Sequence, residues 1–261
     1  MELPFYQIDS FTDKVFTGNP AAVVPLDSWL EDDVMKGIAL ENNLPETAFF
    51  VPKDDHFHLR WFTPTVEMNL CGHATLATAW VLFNDLGYDK NSIKFESKSG
   101  DLTVTKNQDG MTLNFPILPS QQVDLDPAIE KAFGKQSLEL YKGERKWVAI
   151  YDDPDFILNN QPDLSIIKTL TDEGVIITAP GHAPYDFMSR YFAPQIGIDE
   201  DPVTGAAHCM LTPIWANKLD KTDFLARQIS PRGGDLKLSL QNERLEITGN
   251  AALYLKGTIY V

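Results

Sequence analysis

Hydrophobic and polar positions alternate from the first residues of the chain. In ELPFYQIDSF, Leu3 and Phe5 stand against Glu2 and Gln7, a period of two that predicts a strand with one buried face. A Gly18-Asn19-Pro20 turn follows, then the short apolar strand AAVVPL. Residues 29–43 change period: Trp29, Leu30, Val34, Ile38, Ala39 and Leu40 recur at three and four residues, which predicts a helix with Asp27 or Ser28 as its cap. ETAFFVP and HFHLRWFTP read as a hairpin, with Phe57, Leu59 and Trp61 on one face of its second arm. After the turn NLCGH, the segment Ala74–Gly87 is apolar almost all round, so its helix must be enclosed by protein.

SIKFES, DLTVTK and MTLNFPI extend the strand pattern to PILPSQQ, which sets the expected division into lobes 1–118 and 119–261, the last strand being free to return to the first lobe. The second half is expected to run through a weak helix from Ile129, the strands RKWVAIYD, GVIITAP and DFMSRYFAP, and a second apolar helix in AAHCMLTPIWANKL. Pro213 is expected to kink that helix or end it early. Alternating strands with Gly and Asn turns close the chain.

The two halves share one segment. FTPTVEMNLCGHATLATAWVLF (62–83) and FAPQIGIDEDPVTGAAHCMLTPIW (192–215) each carry Phe-x-Pro, a short connection, a Gly-containing turn and small residues opening an apolar helix, about half a chain apart. The first amides of a helix lack internal partners and carry the positive end of its dipole, so small residues there admit an anion. Gly72 and Ala74 in the first copy, and Thr204, Gly205 and Ala206 in the second, are therefore candidate contacts for a small carboxylate-bearing metabolite.

Charge narrows the partners. A formal net charge of −15 excludes tracking of a phosphate backbone, and no apolar run reaches the length of a membrane span, so a soluble cytoplasmic protein without nucleic-acid or membrane partners is expected. Cys71 and Cys209 are too few for a disulfide framework and read as buried thiols. Phosphate-binding loops, a dinucleotide fingerprint, HExxH and CxxC are all missing, and His56 and His58 read as exposed polar positions rather than metal ligands.

MELPFYQIDSFTDKVFTGNPAAVV, ENNLPETAFF, RWFTPTVEMNLCGHATLATA, SRYFAPQIGIDEDPVTGAAH and the Arg-Gly-Gly of PRGGDLKL together resemble, in order and spacing, the phenazine-biosynthesis PhzF family. The resemblance implies an α+β fold like that of diaminopimelate epimerase: two pseudo-symmetric lobes, each a curled, mostly antiparallel sheet around a central apolar helix, with the active site between them. It implies an isomerase that moves a proton without metal or organic cofactor. By matching motif, Glu46 falls at the family's acid/base glutamate, His73 and Asp201 at its active-site histidine and aspartate, and Asn19 and Gly72 at pocket-lining positions. Many members have Ser where this chain has Ala206, which removes one donor and puts the phenazine-pathway substrate itself in doubt.

The residues read alone leave alternatives open. Glu46, at the head of an apolar strand, is either a desolvated acid/base with raised pKa or a strand-edge charge. Asp201 is a helix cap, a catalyst, or both; His73 is a proton shuttle or a structural residue. Arg190 and Arg232 would bind a substrate carboxylate or hold the lobes together. A thiol pair of the racemase kind is disfavoured, because the counterpart of Cys71 in the second half is Asp201 or near it. The competing functions are a stereoinverting amino-acid epimerase and a non-catalytic small-molecule binding protein, with a homodimer as the one protein partner considered.

Overall fold

The computed structural model describes residues 1–261. The chain divides into two compact units, Met1–Phe115 with Glu246–Val261, and Pro116–Leu245.

The first unit runs β1 (Glu2–Ser10), β2 (Asn19–Pro25), α1 (Asp32–Asn42), β3 (Glu46–Pro52), β4 (Phe57–Phe62), β5 (Glu67–Met68), α2 (Gly72–Asn84), β6 (Ser92–Ser97), β7 (Gly100–Asn107) and β8 (Gly110–Pro116). β1 pairs antiparallel with β2, β2 parallel with β3, and β3 antiparallel with β4 across the predicted hairpin. α1 opens three residues later than its periodicity suggests. Glu31 is its N-cap, without a capping side chain, and Asn43 closes it in the left-handed conformation. Met35, Ile38 and Ala39 bury its inner face against Ala22, Val24, Phe49 and Phe62.

α2 is the core element of this unit. Nine of its 13 residues are buried, leaving no polar face. Each large aliphatic side chain so enclosed contributes about 1.5–3 kcal/mol. Its two buried threonines are satisfied within the helix, Thr75 donating to the Cys71 carbonyl and Thr78 to that of Ala74.

The second unit holds β9 (Gln121–Val123), α3 (Pro127–Phe133), β10 (Glu139–Lys142), β11 (Lys146–Ile150), α4 (Pro154–Asn159), α5 (Leu164–Leu170), β12 (Gly174–Pro180), β13 (Phe187–Ala193), β14 (Ile198–Asp201), α6 (Gly205–Leu219), β15 (Asp223–Gln228) and β16 (Gly234–Gln241). β17 (Arg244–Gly249) pairs with β8, and β18 (Ala251–Tyr260) pairs antiparallel with β1, so the last strand lies in the first unit. β11 and β12 are parallel, and α4 and α5 form the crossover between them. The hydrophobic pattern alone did not show these two helices. Their signals are Asp153 before Pro154, and Asp163, whose side chains accept from the amides of Asp155 and of Ser165 and Ile166.

Pro213 neither breaks nor ends α6, which continues to Leu219. The N–H that proline lacks would have reached the Cys209 carbonyl, and that carbonyl accepts instead from the Leu118 amide at 3.0 Å. Each unit is thus an α+β body with a curled sheet and one enclosed helix. The shared segment folds alike in both, β5 antiparallel on β4 ahead of α2, and β14 antiparallel on β13 ahead of α6.

Candidate active site

In the first unit the Gly-Asn-Pro turn fixes the start of β2. Gly18 takes φ +67°, and a Cβ there would lie 2.2 Å from the Ser10 carbonyl oxygen, so only glycine lets the chain turn this tightly. Asn19 follows, fully buried, and Ser10 Oγ donates to the His73 carbonyl at 2.8 Å, tying β1 to the first turn of α2. Glu46 opens β3 with Ala21 of β2 as its parallel partner.

These elements bring Asn19, Glu46, Cys71 and His73 together. Asn19 Nδ2 lies 3.1 Å and Cys71 Sγ 3.6 Å from His73 Nδ1, while His73 Nε2 lies 3.1 Å from Glu46 Oε2. Glu46 and His73 are 7% and 5% exposed, and the two atoms that face each other, Oε2 and Nε2, are buried. Their close approach lacks the alignment of a hydrogen bond.

Burial disfavours a charged imidazole here, but Cys71 and Glu46 more than offset it and hold the His73 pKa well above the ordinary 6.5. Burial, with the Glu46 carboxylate nearby, pushes the Cys71 thiol up, so Cys71 is a thiol near neutral pH.

Ligand atoms of Glu46, Cys71 and His73 lie within 4.8 Å of one another, close enough to raise the question of a metal. A shared ion would need one imidazole nitrogen facing both other ligands. Nδ1 faces the thiol and Nε2 the carboxylate, so the ring stands between the two.

Asp201, Thr204, Gly205 and Ala206 lie in the second unit, where they are grouped around the start of α6. Thr204 is the N-cap, with no capping side chain, so Asp201 is not the cap of this helix. Its Oδ2 accepts from the Thr204 hydroxyl. Gln228, fully buried on β15, donates to the Asp201 carbonyl at 2.6 Å and accepts from the Thr204 amide at 2.8 Å, pinning the turn at both ends. His208 Nδ1 donates to the Thr204 carbonyl at 2.8 Å. Sequence reading missed Gln228 and His208, since neither spacing nor composition marks a buried amide as a brace.

Arg190 has other duties than substrate. It forms a paired contact with Glu200 at 2.7 and 2.8 Å and donates to the carbonyls of Ile157 and Asn160, which makes it a structural tie. On the first unit's surface His56 contacts Asp55 and Glu96, and His58 accepts from Trp29 Nε1.

Residues 8–257 match the PhzC-PhzF family of phenazine biosynthesis-like proteins. The chain belongs to the PhzF family. It is 44% identical to an uncharacterized isomerase of Pseudomonas aeruginosa, over 100% of both chains. It is 41% identical to the phenazine biosynthesis-like domain-containing protein 1 of Mus musculus, over 99% of each. The crystal structure of a PhzF-family protein from Enterococcus faecalis superposes with a TM-score of 0.96 at 44% identity, covering 100% of both chains. No helix of this PhzF-family chain is long and apolar enough to cross a membrane.

Proposed function

We propose that this PhzF-family protein is a cofactor-independent isomerase in which Glu46 removes a proton from a small carboxylate-bearing substrate and returns it at another position. The observation that carries the reading is the buried Glu46–His73 pair, 3.1 Å apart at the start of a helix whose first turn holds no acidic residue and no capping side chain. The three short helices α3, α4 and α5 are capped by Asp126, Asp153 and Asp163, whereas α1 and the two enclosed helices α2 and α6 have no capping side chain. Uncapped amides with small flanking residues suit a carboxylate. Related proteins named as isomerases agree with the reaction class.

In this mechanism Glu46, as carboxylate, accepts the substrate proton, and His73 stabilises the state before and after transfer through Nε2. A group that takes and returns a proton on one face gives an allylic or tautomeric shift; inversion of a stereocentre would need a second acid on the opposite face. Asp201, held by Thr204 and Gln228, is proposed as an auxiliary acid or ammonium contact.

The test is solvent-deuterium incorporation into carboxylates first selected by thermal shift. Wild-type protein is expected to exchange the labile position, and Glu46→Gln to lower exchange by at least about 100-fold, the usual worth of a positioned general base. Exchange undiminished in Glu46→Gln removes Glu46 from the role, and binding without exchange in the wild type identifies a binding protein instead. Asp201→Asn is expected to lower exchange about tenfold or more while leaving the thermal midpoint near that of the wild type; unchanged exchange excludes Asp201.

A further inference from the structure

His73 meets a different partner through each of its two ring nitrogens. A neutral imidazole has one donor and one acceptor nitrogen, and the one that donates is set by what faces each of them. Glu46 Oε2, on β3, stands 3.1 Å from Nε2, and a carboxylate only accepts. On the other side, Asn19 Nδ2, on β2, stands 3.1 Å from Nδ1, and an amide nitrogen only donates. The remaining titratable neighbour is Cys71, at the N-cap of α2, 3.6 Å from Nδ1 and held as a thiol.

We infer that Asn19 is a positioning residue that sets the tautomer of His73: by donating to Nδ1 it keeps that nitrogen an acceptor and places the ring proton on Nε2, facing Glu46. The inference rests on the functional reading only for its use, not for its geometry. Carboxylate and amide act on the ring in opposite senses. Glu46 draws an additional proton onto it, and a proton arriving at Nδ1 would meet the N–H of Asn19. In its neutral form the ring thereby presents the Nε2 proton to Glu46, 3.1 Å away.

The backbone holds Asn19 to this duty. It is fully buried, follows a turn at Gly18 that only glycine can make, and pairs with Ser10 of β1, whose hydroxyl fixes the His73 carbonyl. Asn19 thus reaches the ring from a strand, and His73 cannot move away without breaking the Ser10 contact.

The experiment is nitrogen NMR of protein labelled with 15N-histidine, titrated with pH and without any substrate. The chain has five histidines, and His73→Gln assigns the resonances of interest. The wild type is expected to show His73 as the Nε2–H tautomer when neutral. Asn19→Leu, similar in size but without a donor, is expected to raise the midpoint of His73 by about one pH unit or more and to admit the Nδ1–H form. Asn19→Asp, which turns the donor into an acceptor, should raise it further and serves as the test if the leucine variant does not fold. An Nδ1–H tautomer in the wild type, or a midpoint unmoved in the folded variant, overturns the inference. Because this readout needs no turnover, it stands or falls apart from the Glu46→Gln exchange experiment.

Discussion

A carboxylate at the head of a strand meets whatever group the fold sets beside it, and for Glu46 that group is His73. Nothing in the local sequence around either residue specifies the 3.1 Å approach; it follows from β2, β3 and the first turn of α2 meeting. Arg190 makes the contrary case. Its charge and its place in the SRYFAP motif suit a substrate contact, yet Glu200 and the carbonyls of Ile157 and Asn160 occupy it. Glu200→Gln would leave a guanidinium that is nearly enclosed with no charged partner. The expected cost is about 3 kcal/mol, read as a fall in the urea midpoint with an unchanged slope. A loss of exchange activity without loss of stability would return Arg190 to the site. The candidate residues were legible because the motifs keep order and spacing, whereas Gln228 and His208 were not, since their contacts depend on which strand lies next to which turn.

Periodicity works best for elements with one wet face. β1, α1 and the β3–β4 hairpin were legible for that reason, within a few residues at their ends. α4 and α5 are too short, at six and seven residues, for a 3.6-residue period to stand out, and only their caps announce them. Pro213 shows tertiary structure overriding a local rule, because the Leu118 amide satisfies the carbonyl that proline abandons. The β12–β13 pair holds a similar non-local demand. A Cβ on Gly174 would lie 2.3 Å from the Phe192 carbonyl oxygen and 2.9 Å from Ala193 Cα, both backbone atoms that cannot easily yield. Gly174→Ala is expected to cost about 2–3 kcal/mol through forced separation of the two strands. Chemical denaturation measures it, and a variant as stable as the wild type would show that the strands part freely.

Over the whole molecule, pH acts through buried histidines as well as through net charge. His208 is enclosed, stacked on Phe187, and burial pushes its pKa down from 6.5 to about 4 despite the Thr204 carbonyl. The unfolded chain therefore binds a proton that the folded one refuses between these values, and stability rises with pH across that window. The contribution is complete above about pH 6.5 and is lost toward pH 4, about 3 kcal/mol in all. His73, whose pKa is raised, works in the opposite sense, its contribution present below 6.5 and lost as pH rises through its folded value. Comparing His208→Gln with the wild type isolates the first effect: the variant's stability should depend less on pH between 4 and 6.5, and parallel profiles would disprove it. The sequence by itself determined the family, the enclosed character of both central helices and the residue types available for proton transfer, because motif order and hydrophobic period are properties of the chain. Tertiary structure alone decided which nitrogen of His73 meets which partner, that Arg190 is spent internally and that Gln228 braces Asp201. Those are distances between residues far apart in sequence, and they exist only once strands have chosen their neighbours.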